Sequence, residues 1–71
     1  MTDCELLKSK IEKAGVSITF LADKCKVSRE YFYSKLNGTV EFKQSEIVAI
    51  QEALHLTQAE RNRIFFALKV D

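Results

Sequence analysis

Proline is absent from this chain, and glycine occurs only twice, at Gly15 and Gly38. These residues punctuate strands and hairpins, so a sheet built on tight turns is not expected and helices joined by short connections are. No apolar run is long enough to span a bilayer, and the opening MTDCELLK lacks the basic-then-apolar order of a signal peptide. A soluble, cytoplasmic protein with no membrane partner is expected. Cysteine is sparse: Cys4 and Cys25 are too few for a disulfide framework and form no CxxC pair. Both read as reduced thiols, with Cys25 a small apolar residue on the inner side of a helix. There is one histidine, His55, and with Cys4 and Cys25 it is too scattered for a zinc signature. No nucleophile, base and orienting acid converge on it, and no phosphate loop is present, so neither an enzyme nor a metal, cofactor or small-molecule substrate is expected.

The 71 residues form one module, a single domain over 1–71. A domain of this size buries only about 60% of the surface its unfolded chain exposes, so one core takes most of the apolar side chains. Any binding surface is the outside of that core. Net charge is only +1, weak for a nucleic-acid binder, because neutralising phosphates supplies much of that affinity. Its distribution is more informative. Up to residue 40 the basic side chains Lys8, Lys10, Lys13, Lys24, Lys26, Arg29 and Lys35 outnumber the acidic Asp3, Glu5, Glu12, Asp23 and Glu30, whereas the remainder is slightly acidic. A basic face, if present, belongs to the first half.

Helix starts are what the chain has in quantity. Thr2 with Glu5 reads as a capping box, with Met1 and Leu6 at the staple positions, and predicts a first helix from about Asp3 to Ala14, closed by Gly15. Leu7, Ile11 and Ala14 give it one apolar stripe. Ser17 is the next N-cap, flanked by Val16 and Leu21, with Leu21, Ala22 and Cys25 facing inward. Ser28, flanked by Val27 and Phe32, begins a segment Arg29 to Leu36 that Asn37-Gly38 stops. A fourth segment begins at Phe42, with Ile47, Ile50 and Leu54 on one face, and ends at His55-Leu56. Thr57 with Glu60 caps a last helix that carries Ile64, Phe65, Phe66, Leu68 and Val70.

The second and third helices are short, about three residues apart, and cannot bury much alone. Such an elbow is what a helix-turn-helix requires: one helix braces across the phosphate backbone while the next offers its first turn to base edges in the major groove. From Ser17 to Gly38, Ala22 lets the helices approach, and Val27 and Phe32 fill the elbow.

Leu21-Ala22, Val27-Ser28-Arg29 and Leu36-Asn37-Gly38 resemble the Cro/repressor-type (XRE-type) helix-turn-helix family of bacteria and their phages. Phe42, Glu46-Ile47, Ile50, Leu54 to Thr57 and Ile64-Phe65-Phe66 are similar to the last two helices of short phage-encoded members, so the resemblance covers nearly the whole chain. It implies an all-α, compact five-helix, lambda-repressor-like DNA-binding domain whose partner is a double-stranded operator, in a bacterial cell or phage-infected host, commonly as a homodimer. Two positions depart from the pattern: Lys26 stands at the elbow where the family usually has glycine, and Ile18 replaces a polar residue that often reaches DNA.

Carried over position by position, the resemblance makes Arg29, Glu30, Tyr33 and Ser34 the base-reading edge. Arg29 would pair with guanine and Glu30 would accept from a cytosine amino group. Thr19, Lys26, Ser28, Thr39 and Lys43 are the expected backbone contacts. Of the consecutive aromatics, Phe32 is expected in the core and Tyr33 is expected to point outward. Phe65, Phe66 and Val70 are expected to dimerise the protein, with a covering role over the small core as the alternative for the two phenylalanines. Arg29 and Glu30 also read as an ordinary solvated helix start, and Lys8, Lys10 and Lys13 as a solvated face. The competing function is a protein-interaction module on the same fold, such as a phage antirepressor or adaptor, which the near-neutral charge favours.

Overall fold

A short helix persists in water only if its unpaired end groups find partners, and here the helix ends account for most of the chain's local structure. The computed structural model describes residues 1–66, which form five α-helices and no strand: α1 (Cys4–Ala14), α2 (Ile18–Lys24), α3 (Arg29–Leu36), α4 (Gln44–Leu54) and α5 (Gln58–Phe65). The Ser17 hydroxyl accepts the Phe20 N–H at 3.0 Å, and Ser28 accepts the Tyr31 N–H at 3.1 Å, as the sequence predicts. The Thr57 box is complete, with Oγ1 accepting the Glu60 N–H and the Glu60 carboxylate accepting the Thr57 N–H.

The first helix departs from expectation by one residue. Its N-cap is Asp3, not Thr2: the carboxylate accepts the Leu6 N–H at 3.0 Å, and Met1 is 73% exposed rather than stapled. A carboxylate outcompetes a threonine hydroxyl at the positive end of the helix dipole. The Asp3 N–H donates to the Ile64 carbonyl at 2.6 Å, fastening the start of α1 to α5.

Four helix ends close through a residue in the left-handed region, only two of them glycine: Gly15, Lys26, Gly38 and His55. At Lys26, Gly38 and His55 the following amide reaches back five residues, from Val27 to Ala22, Thr39 to Ser34 and Leu56 to Gln51, with the shorter partner bond beside it. These are Schellman closures, and they satisfy carbonyls that would otherwise end unpaired.

Around the interior, α2 packs chiefly on α4 and α3, while α1 lies against α3, α4 and α5. Leu7, Leu21, Phe32, Ile50 and Ile64 are fully buried. Phe42 precedes α4 rather than beginning it, and its ring meets Phe32 edge-on at 5.9 Å and Phe65 at 5.5 Å. Beside these rings lies a buried ion pair, Lys35 Nζ to Glu46 Oε1 at 2.9 Å. No helix among the described residues is long and apolar enough to cross a membrane.

A second ion pair between distant parts of the chain, Lys10 Nζ to Glu60 Oε2 at 2.6 Å, joins α1 to the start of α5. The Lys10 hydrogen bond, with those from Thr57, holds the Glu60 carboxyl down at about 2. Because its folded value lies below its unfolded one, Glu60 adds stability at neutral pH that is lost as the pH falls from about 4.5 toward 2. Glu60→Gln is therefore expected to flatten the fall of the urea midpoint across that window; an unchanged acid profile would contradict this role for the carboxylate.

Candidate nucleic-acid interface

The elbow between α2 and α3 sets the geometry of the outer edge. Lys26 takes φ +59°, its N–H donates to the Asp23 carbonyl at 3.1 Å, and the Val27 N–H reaches Ala22 at 3.0 Å. The chain thus reverses in three residues, and Ser28 begins α3 at once. A left-handed φ costs an L-residue free energy that glycine does not lose, so Lys26→Gly is expected to stabilise the fold by about 0.5–1 kcal/mol. Thermal unfolding checks it, with an expected rise of roughly 2–8 °C.

On α3 the expected reading residues divide. Arg29, Glu30 and Tyr33 are exposed, and the Arg29 guanidinium lies 5.7 Å from the Tyr33 ring centroid, one turn apart on one face. At an exposed site such a contact contributes about 0.5–1 kcal/mol and favours this face for the long side chain. Ser34 is half-buried, and its hydroxyl donates to the Glu30 carbonyl at 3.3 Å, turning its proton back into the helix. It retains only acceptor capacity toward an outside group. Tyr31 is exposed as well as Tyr33, at 42% against 41%, so Tyr33 is not the single outward tyrosine that the sequence predicts.

Thr19 and Arg29 line one shallow depression of about 270 Å³ with Phe20, Ala22, Asp23 and Val27. The structure therefore brings Thr19 of α2 and Arg29 of α3 to one depression, with the acidic Asp23 among its lining residues. Ser28 spends one lone pair on its cap, leaving its O–H as a donor. Lys26 and Lys43 are exposed. Thr39 is exposed and fixed by its N–H, which donates to the Ser34 carbonyl at 3.0 Å, so the turn bearing it is tied to α3. Ile18 is half-buried and lines a second depression with Tyr33 and Leu36, which makes it a packing residue.

Lys35 does not contribute to a basic surface. It is 1% exposed and paired with Glu46, which is 3% exposed, so one cation of the first half is neutralised inside the protein. Both residues were legible in principle: Lys35 lies three residues after Phe32 and next to Leu36, and Glu46 lies next to Ile47 and four before Ile50, on the apolar stripes of their helices. That the two stripes bring these opposite charges together is not written in either one.

Of the expected dimer residues, Phe65 is 3% exposed and packs edge-on against Phe42, so it belongs to the core and offers no surface. Its place is set by the register of α5, in which Ile64 and Phe65 both face inward. Phe66 is 47% exposed beneath the Arg61 guanidinium. Val70 lies outside the described residues. Cys25 is buried, and burial followed by the Glu46 charge pushes its thiol up to about 11, an inert group rather than a reactive one. Among the described residues no group of three His, Cys, Asp or Glu side chains could hold a metal ion.

No family model, curated protein or solved structure matches this chain.

Proposed function

We propose that this protein is a sequence-specific DNA-binding transcriptional regulator, in which α2 and α3 act as the helix-turn-helix of a lambda-repressor-like domain and α3 enters the major groove of an operator. The observation that carries the reading is the closed elbow at Lys26-Val27 joined to an α3 edge on which Arg29, stacked on Tyr33, stands exposed with Glu30. An exposed guanidinium at the first turn of such a helix suits bidentate pairing with guanine. Glu30 answers a cytosine amino group, and Ser34 serves only as an acceptor.

Phosphate contacts fall to Lys26, Thr19, Ser28, Thr39 and Lys43, which lie before, beside and after α3. Lys26 and Lys43 are the only cations among these contacts and Asp23 lines the same depression as Arg29, so few phosphates are neutralised, and affinity is modest with a shallow salt dependence. The regulator works in the cytoplasm of a bacterial cell or phage-infected host, as the likeness to short phage regulators implies. Phe66 is the remaining described candidate for self-association, and a two-fold pair would place the two α3 helices about 34 Å apart on a pseudo-palindromic site.

Selection from a random duplex library, followed by titration at several salt concentrations, tests the reading. A recovered consensus whose affinity falls with salt is expected. Failure to bind any duplex at low salt would contradict it and favour the second reading, a protein-interaction module, which the mixed charge of Asp23, Arg29 and Glu30 on one edge supports.

A further inference from the structure

Lys35 and Glu46 take no part in the reading edge, yet they are the buried charged residues of the described structure. Three groups surround the Lys35 ammonium: a carbonyl that accepts its hydrogen bond, a carboxylate that supplies the counter-charge and the face of an aromatic ring. Its Nζ lies 2.9 Å from Glu46 Oε1, 3.0 Å from the Glu41 carbonyl oxygen and 4.6 Å from the Tyr31 ring centroid. The same Glu46 oxygen accepts the Lys43 N–H at 2.7 Å. One carboxylate oxygen therefore joins α3 to the turn that precedes α4, and the lysine adds a second tie to that turn at Glu41. A buried ion pair seldom stabilises more than apolar groups of equal volume, because desolvation consumes the Coulombic gain. What apolar groups would not supply is a fixed direction and length between two elements.

We propose that Lys35 and Glu46 are positioning residues for DNA recognition, setting the spacing between the base-facing edge of α3 and the phosphate-facing turn Thr39–Lys43 so that both engage one site together. This rests on the DNA-binding reading above. It makes discrimination between sequences, rather than stability, the property the pair controls.

The double variant Lys35→Met with Glu46→Leu replaces the pair by apolar groups and is expected to fold, melting within a few degrees of the parent. Parent and variant are titrated against the parent's selected duplex and a scrambled one at one salt concentration. The variant is expected to bind the scrambled duplex as the parent does and to lose roughly tenfold of its preference for the selected one, the size of one good base contact. A purely structural pair would shift the melting temperature and leave that preference intact, and an intact preference overturns the proposal. If the double variant does not fold, Glu46→Gln, which keeps an acceptor for the Lys43 N–H, is judged by the same criterion. Hydrogen exchange gives a DNA-free arm: the Thr39 and Val40 amides, both donating to Ser34, are expected to exchange faster in the variant while the Ile11 amide does not, and unchanged protection overturns the proposal. A parent that binds neither duplex defeats the DNA-binding reading and the proposal together; a parent that discriminates, matched by its variant, defeats the proposal alone.

Discussion

Lys35→Met alone is expected to destabilise the fold by about 3–5 kcal/mol, because it leaves the Glu46 carboxylate buried without its counter-charge. The Lys43 N–H remains as one neutral partner, but the ammonium at 2.9 Å is gone, and so are its bond to Glu41 and its position over the Tyr31 ring. Domains of this size have a total stability of roughly 4–11 kcal/mol, so the single variant should be partly or wholly unfolded at modest urea. Urea unfolding followed by circular dichroism measures this. The contrast with the double variant is diagnostic: removing both charges should restore most of the loss, and a single variant as stable as the parent would mean that solvent reaches Glu46.

Phe42→Ala is the second large effect, expected at about 3–5 kcal/mol. Phe42 sits in no helix, yet its ring bridges Phe32 of α3 and Phe65 of α5, both edge-on, and covers the Lys35 ammonium at 5.8 Å. Each edge-to-face pair adds about 0.5–1.5 kcal/mol beyond its buried area, so truncation removes two such pairs and leaves a cavity where three elements meet. The chain on either side is short and tied by the Ser34 and Glu46 hydrogen bonds, which prevents easy collapse into the gap. Thermal and urea unfolding of the variant check the magnitude. A loss below about 1 kcal/mol would mean that the site closes over, as well-relaxing sites do.

Local chemistry was readable and long-range pairing was not. Ser17, Ser28 and Thr57 act within four residues of themselves, so a cap reads directly from the chain, and α3 has the bounds that Ser28 and Asn37-Gly38 predict. Where two candidates competed within one turn, the stronger acceptor won, which moved the first cap to Asp3. Lys26 and His55 in the left-handed region have no simple signature, because the strain is borne by ordinary residues whose closures are fixed by the following amide. The ion pair of Lys10 with Glu60 spans fifty positions, and that of Lys35 with Glu46 links two helices, so both depend on how the helices pack. Within the candidate interface, the exposure of Arg29, Glu30 and Tyr33 followed from the helical period. The inward turn of the Ser34 hydroxyl, a bond within its own helix, did not follow from that period, and the outward Tyr31 and the burial of Phe65 are decided by neighbours in space.

The most direct test of the DNA-binding account compares the parent with Arg29→Ala on the parent's selected duplex and on a scrambled one, at matched salt. Arg29 is exposed and forms no ion pair among the described residues, so its removal should leave the fold intact. The account predicts a loss of about 1–3 kcal/mol on the selected duplex, concentrated at one guanine position, and little change on the scrambled one. Equal weakening on both duplexes would make Arg29 a phosphate contact, and undiminished preference for the selected duplex would contradict α3 as the reading helix.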